Sequence, residues 1–216
     1  MHKLSKHIPL QNRVLPTGEI VSLASRGTFM GNRGGRIHDP ETRTLTSRRW
    51  ASRRWICCVT SFKNRQRQVM GHSYTELFFL DEPTALAAGH RPCFECRRAD
   101  ANAFADAFAK GQGADGNLAA DPMDLILHAD RLDGRQQRTF EAPVSDLPDG
   151  AMVMVGSTPH AILERRLIMW SPEGYQAQQG PLPSSPVSVL TPKSICHALA
   201  NGYRPHWHSS ASRAVA

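Results

Sequence analysis

Residues Ala85 to Cys96 read Ala-Leu-Ala-Ala-Gly-His-Arg-Pro-Cys-Phe-Glu-Cys, and no other stretch constrains this chain as tightly. It spells a short helix, a stop, a tight turn and two thiols. Asp81 is placed to serve as N-cap, Glu82 falls in the first turn where the helix dipole favours an acid, and Pro83 is tolerated there. Gly89 suits the left-handed position that ends a helix, and Pro92 stops it continuing. A Cys-x-x-Cys carried by such a turn is the usual half of a tetrahedral metal site, which makes Cys93 and Cys96 candidate ligands. The run Trp55-Ile56-Cys57-Cys58-Val59-Thr60-Ser61-Phe62 reads as a strand and adds Cys57 and Cys58. Neighbouring strand residues point to opposite faces, so both cannot reach one ion without a bulge. Two other readings of Cys93 and Cys96 stay open: a redox pair, which normally sits at a helix start, and inert buried thiols.

Together with the strand-like Tyr74-Thr75-Glu76-Leu77-Phe78-Phe79-Leu80, this stretch resembles the N-terminal metal-binding domain of Ada-type DNA-repair proteins, over about residues 55–100. That family shows a strand, a helix ending Ala-Leu-Ala-Ala-Gly, then Arg-Pro-Cys-x-x-Cys. The resemblance implies a zinc ion held by cysteine thiolates, with Cys93 and Cys96 as its second pair. In the family the first thiolate of a Cys-x-x-x-Cys strand takes a methyl group from a methylated DNA phosphate. Here that strand departs from the pattern. If Cys58 stands for the first family cysteine, Phe62 replaces the second; if Cys57 does, Ser61 replaces it. Cys58 is favoured, because Ile56 then occupies the family's apolar position. The fourth ligand is the neighbouring cysteine, a histidine such as His72 or His90, or absent.

Charge is unevenly placed. Through Thr75, 14 Lys and Arg stand against three acids, and the rest carries 12 basic against 16 acidic residues, within a total of +7. No acid occurs between Glu41 and Glu76. The tandem Ser47-Arg48-Arg49-Trp50 and Ser52-Arg53-Arg54-Trp55, with Lys63, Arg65 and Arg67 following, interleaves cations with indoles, a pattern that suits phosphate attraction plus base stacking. Trp55, beside Ile56, is expected in the core. Met30-Gly31-Asn32-Arg33-Gly34-Gly35-Arg36 reads as a glycine-rich basic turn whose amides could cradle a phosphate under Arg33 and Arg36. No helix start follows it, so it is not a P-loop. A solvated basic surface is the alternative to DNA or RNA contact.

The expected fold is α+β: a small mixed sheet with the Cys-x-x-Cys turn and flanking helices, then a C-terminal β-meander and short helix. The chain divides into a basic segment 1–54, the Ada-like metal-binding region 55–134 and a meander module 135–216. Strands are expected at Glu19–Val21, Trp55–Phe62 and Tyr74–Leu80, followed by a helix from Arg97 to Lys110 that Gly111–Gly116 breaks. A second helix is expected to start at Asp121-Pro122, run toward Leu132 and end at Gly134. Three short strands follow at Ala151–Val155, His160–Leu163 and Leu167–Trp170. Gln179–Pro186 is a proline-rich connection into the strand Val187–Leu190. Thr191 then caps a helix that has Pro192 at its first position and runs to Ala200.

Ala198-Leu199-Ala200-Asn201-Gly202-Tyr203-Arg204-Pro205 matches Ala85–Pro92 at six of eight positions. It reads either as a decayed copy of the knuckle, with His206, His208 and Cys196 as ligands, or as reuse of a good helix stop. His38 beside Asp39 could serve as a base but has no nucleophile near it, and Glu95 between the thiols could act beside a zinc. Five cysteines do not look like a disulfide scaffold, which points to a reducing, cytoplasmic setting. No apolar run is long enough for a membrane span, and no leader is seen. Three functions fit: a zinc-binding protein that contacts nucleic acid through its basic N-terminal third, a zinc-thiolate methyl or alkyl acceptor, and a metal-free interaction protein.

Overall fold

The computed structural model describes residues 8–114, 116, 118–178 and 180–216. Gln179, where the proline-rich connection was expected to begin, and Asp115, inside the expected helix break, lie outside the described residues, as does the start of the chain through residue 7.

The chain is an α+β protein. The strands β1 (Gln11–Val14), β2 (Ile20–Ser22) and β3 (Phe29–Arg33) come first, followed by a small hairpin of β4 (His38–Asp39) and β5 (Thr44–Leu45). Next are β6 (Trp55–Val59), β7 (Leu77–Phe79), the helix α1 (Glu82–Ala87) and the short β8 (Arg91–Pro92). The helices α2 (Arg98–Gly111) and α3 (Ala120–Arg131) lead into a hairpin of β9 (Leu132–Asp133) and β10 (Gln136–Gln137). The C-terminal part holds β11 (Phe140–Ala142), β12 (Met152–Val155), β13 (Thr158–Leu163), β14 (Arg166–Ser171), β15 (Gly174–Ala177), β16 (Val187–Val189), α4 (Lys193–Ala200) and α5 (Ser210–Val215).

Two six-stranded sheets organise these elements. The first is mixed, in the order β2-β1-β7-β3-β6-β8, with β1–β7 and β6–β8 parallel. It draws on strands from both the basic N-terminal segment and the Ada-like region. The second is antiparallel, in the order β11-β16-β12-β13-β14-β15; β12, β13 and β14 are the expected three-stranded meander, and β15 extends it by a fourth strand that was not expected. Helix α2 carries Phe104, Ala105, Ala107 and Phe108 on one face, and these pack with Met123 and Leu127 of α3 and Ile195 and Leu199 of α4 onto Val153 and Ile162 of the second sheet. Each buried Phe or Leu of this core contributes about 1.5–3 kcal/mol.

Several sequence expectations need correction. Met30–Arg33 is not a turn but part of β3, where Gly31 lets β6 approach so closely that a Cβ would lie 2.1 Å from the Ile56 carbonyl oxygen. β6 stops at Val59, short of Phe62, and Lys63 and Asn64 turn the chain with left-handed φ of 51° and 53°. Helix α3 begins at Ala120, so Asp121 lies in its first turn instead of capping it. Thr191 does not cap α4: its Oγ1 accepts from Met152 N at 2.8 Å, while Asp130 of α3 accepts from Ser194 N at 2.6 Å. Helix α1 does follow its sequence. Asp81 caps it, accepting from Thr84 N at 3.1 Å, and Gly89 takes φ +76° just after its end.

The segment after α4 locks the two sheets together around α1. Glu82 is buried and accepts from Arg97 Nη2 (2.8 Å), Tyr203 Oη (2.6 Å) and His206 N (2.8 Å). Asp81 accepts from Tyr175 Oη and His208 N in the same way. Removing one partner of such a buried pair strands the other charge in low dielectric and costs about 3–5 kcal/mol. Glu82→Ala should therefore lower urea-unfolding stability by about that much, and a loss near that of a surface substitution would contradict this role.

Candidate metal centre

The thiol site is assembled by backbone pairing. β8 runs parallel to β6, opposing Ile56 to Arg91 and Cys57 to Pro92, and Cys93 N donates to Cys57 O at 3.0 Å. This carries Cys93 past the edge of β6, next to Cys58. Arg91 is anchored by a bidentate pair with Asp124 of α3, at 2.8 and 2.7 Å. The turn closes with Arg97 N donating to Cys93 O at 2.9 Å, which places Cys96 directly before α2.

The result is a group of three sulfurs. The Sγ atoms of Cys58, Cys93 and Cys96 all lie within 4.8 Å of one another and could hold a metal ion. Amides point at them: Glu95 N lies 3.4 Å from Cys93 Sγ, and Val59 N bonds Cys96 Sγ. The Cys93 thiol is pulled far down, first by contact with the Cys58 and Cys96 thiols and, against the push of burial, by the Cys96 and Glu95 amides. Cys58 is pushed up by its contacts with Cys93 and Cys96 and by burial. In Cys96 contact with Cys58 pulls down, but contact with Cys93 and burial prevail and raise it. Without a cation, then, the three share their protons unequally. Only a positive charge among them lets all three ionise.

Cys57 is not in that group. Its side chain points to the other face of β6, where Arg97 Nη1 lies 3.5 Å from its sulfur, and burial pushes its thiol up. The proposed histidine ligands are elsewhere as well. His72 is exposed and 4.0 Å from Glu41, while His90 is fully buried between Trp55 and Phe79, with ring centroids at 5.1 and 4.7 Å. His206 faces Asp100, His208 bonds Ser210 and the Cys196 thiol bonds Thr191 O, so the second helix stop gathers no ligands of its own. It does repeat the backbone of the first, since His90 N donates to Ala85 O just as Tyr203 N donates to Ala198 O. His38 is buried and held by Thr75 Oγ1 and Gly71 O.

The sulfurs open onto a cleft of about 250 Å³, lined among others by Asn32, Phe62, Arg65, Arg67, Tyr74 and Glu76. Glu95 is drawn to its rim by Arg65, 2.6 Å away. Arg67 stacks over Tyr74 at 5.0 Å, and Tyr74 is raised by burial, against the pull of Arg67. Glu76 is buried. Its Oε2 accepts from Met70 N at 2.8 Å while Oε1 has no partner. The sequence reading missed Glu76, because nothing in its surroundings marks it as different from any other acid in a strand-like run.

Among the expected nucleic-acid residues, Arg36, Arg48, Arg49, Arg53, Arg54, Lys63, Arg65 and Arg67 are exposed and Trp50 is half-buried. Arg54 pairs with Asp121 at 2.9 Å. Arg33 is not on that surface: it is buried, its Nη2 donates to Gly18 O at 2.7 Å, and it lies over Trp55. Among the described residues no helix is long and apolar enough to cross a membrane. Comparison with known protein families, with curated proteins and with solved structures finds no match.

The thiols should separate by reactivity. In metal-free protein Cys93, by its lowered thiol, and Cys96, by its exposure, should react with a maleimide before Cys57 and Cys196, the latter pushed up to about 12 by burial. Timed peptide mass spectrometry reads the order, and early labelling of Cys57 would contradict the geometry.

Proposed function

We propose that this protein binds zinc through Cys58, Cys93 and Cys96, with the fourth position of the ion facing the cleft, and that it contacts nucleic acid through its basic N-terminal third. The observation that carries this reading is the convergence of the three sulfurs. Zinc takes thiolates in tetrahedral geometry, and three protein ligands leave one position for an outside donor. The donor set fits, being soft, bonded by amides and short of positive charge. The Ada-type resemblance of residues 55–100 supports zinc over other ions. It also explains the open position, since Phe62 stands where the family has its second strand cysteine. Nucleic acid is supported by the exposed arginines and by Arg65 and Arg67 beside the cleft, where a phosphate backbone would meet two guanidiniums.

Metal analysis tests the first half. Wild type should bind about one zinc per chain through thiolate ligands. Cys58→Ser, Cys93→Ser and Cys96→Ser should each lose most of it, and Cys57→Ser should keep it. Loading requires all three thiols to lose their protons, two of them from raised positions, so zinc affinity should fall as pH drops and protons compete. Zinc-free wild type, or retention in Cys93→Ser, would overturn the reading. For the second half, retention on single-stranded DNA or RNA should fall steeply with salt, through counterion release. Arg65→Ala with Arg67→Ala should flatten that slope, and salt-indifferent or absent binding would remove the nucleic-acid partner.

One observation favours a second reading, a methyl or alkyl acceptor: Cys58 lines the cleft, where an electrophile could reach it. Transfer would form an S–C bond at Cys58 and release the phosphate diester as leaving group. A methyl mass gain on the Cys58 peptide after exposure to methyl-phosphotriester DNA supports it, and an unmodified peptide rejects it.

A further inference from the structure

We propose that a second cavity, remote from the thiols, binds the phosphate group of a small phosphomonoester. This cavity has a volume of about 330 Å³ and lies between the β1–β2 turn, the Arg49-Trp50 loop and the end of α3 with the β9–β10 hairpin. It shares no lining residue with the thiol cleft. Four arginines line it, Arg33, Arg49, Arg131 and Arg135, against one acid, the exposed Glu19.

Two of those arginines are buried without a direct ion pair, although Arg131 feels the carboxylate of Asp124, which Arg91 holds. Arg33 and Arg131 are 4% and 2% exposed, and neither forms an ion pair among the described residues. Arg131 donates instead to the carbonyl oxygens of Gly89 (2.8 Å) and Arg53 (2.7 Å) and to His128 Nδ1 (2.9 Å), and Arg33 to the carbonyl of Gly18. Both lie over the Trp55 ring, at 4.0 and 4.2 Å, a cation–π arrangement that offsets part of their desolvation. Burial still pushes both guanidiniums down to about 9; Arg49 adds to this at Arg33, while at Arg131 the pull of Asp124 opposes it and Arg33 and Arg91 add to it. A group that stays charged there needs an anion.

The unsatisfied donors gather at the same place. Arg33 Nε, Arg131 Nε and Thr17 Oγ1 are all buried without a hydrogen-bond partner, and all three residues line this cavity. Beside them, His90 is pushed well below its usual range by burial and then by the adjacent Arg33 and Arg131, so it adds no counter-charge. Buried polar groups are almost always paired, so orphans clustered on one cavity mark a missing ligand. Guanidinium N–H groups with a hydroxyl match phosphate oxygens. The four positive charges suit a dianion better than a carboxylate. The volume exceeds what one phosphate fills, and the half-buried Trp50 in the wall leaves a planar surface for the attached group.

Titration with inorganic phosphate and with adenosine monophosphate, read by tryptophan fluorescence and by thermal shift, tests this. A saturable response is expected with either, with none from acetate at equal ionic strength. Tighter binding of the nucleotide assigns the remainder to Trp50, and equal binding assigns recognition to the phosphate alone. Arg131→Met could fail to fold, because Arg131 also holds two backbone carbonyls. Thr17→Val and the exposed pair Arg49→Ala with Arg135→Ala avoid that, and each should weaken binding at least about ten-fold, the effect of losing one good charge-assisted contact. No response to either ligand, or variants that bind as wild type does, overturns the proposal.

Discussion

The ion pair between Arg97 and Glu82 is the contact on which the rest of the molecule turns. Arg97 follows Cys96 directly, so wherever its guanidinium is fixed the thiol turn is fixed too. Glu82 opens the buried helix α1 and receives the chain returning from α4 through Tyr203 and His206. The same guanidinium reaches Cys57 on β6 and Asp100 on α2. One buried carboxylate therefore ties the strand bearing Cys58, the turn bearing Cys93 and Cys96, and the C-terminal segment that crosses from the second sheet. Its full set of hydrogen bonds is what makes the burial of both charges tolerable.

Two concentrations of unbalanced charge lie on either side of that framework. At the thiols the deficit is positive charge, because three sulfurs in mutual contact cannot all ionise. In the second cavity the deficit is negative charge, because Arg33 and Arg131 are buried without a direct ion pair, and Asp124, which Arg131 feels, is already held by Arg91. On the readings proposed above, ligands of opposite sign would complete the two arrangements, a cation at one site and an anion at the other. Trp55 and the strand β6 connect them: Trp55 supports the arginines, and Cys58 lies three residues further along the same strand.

Local signals carried much of this in the sequence. The Asp81 cap, the Gly89 stop and the Cys-x-x-Cys that follow them are short-range features, and the alternation of faces along β6 already favoured one cysteine of the adjacent pair. The three-stranded meander and the helix α2 were legible for the same reason. What the sequence hid is set by distant partners. Asp130 caps α4 from another helix, which no reading of Thr191-Pro192 reveals. Arg33 looked like one more surface cation in a glycine-rich run, yet pairing of β3 with β6 turns it inward over Trp55. Arg131 sits at the end of a helix, where a cation is ordinary. Only the fold brings it beside Arg33, and only burial makes the pairing of two cations informative. Glu76 became visible when one of its oxygens was found without a partner.

The most direct test of the account is X-ray absorption at the zinc edge of the loaded protein. If Cys58, Cys93 and Cys96 supply the thiolates and the fourth position faces the cleft, the result is three sulfurs at about 2.3 Å and one lighter oxygen or nitrogen neighbour at about 2.0–2.2 Å. A first shell of four sulfurs would bring Cys57 back into the site and contradict the strand geometry. A shell without sulfur would remove the metal centre altogether.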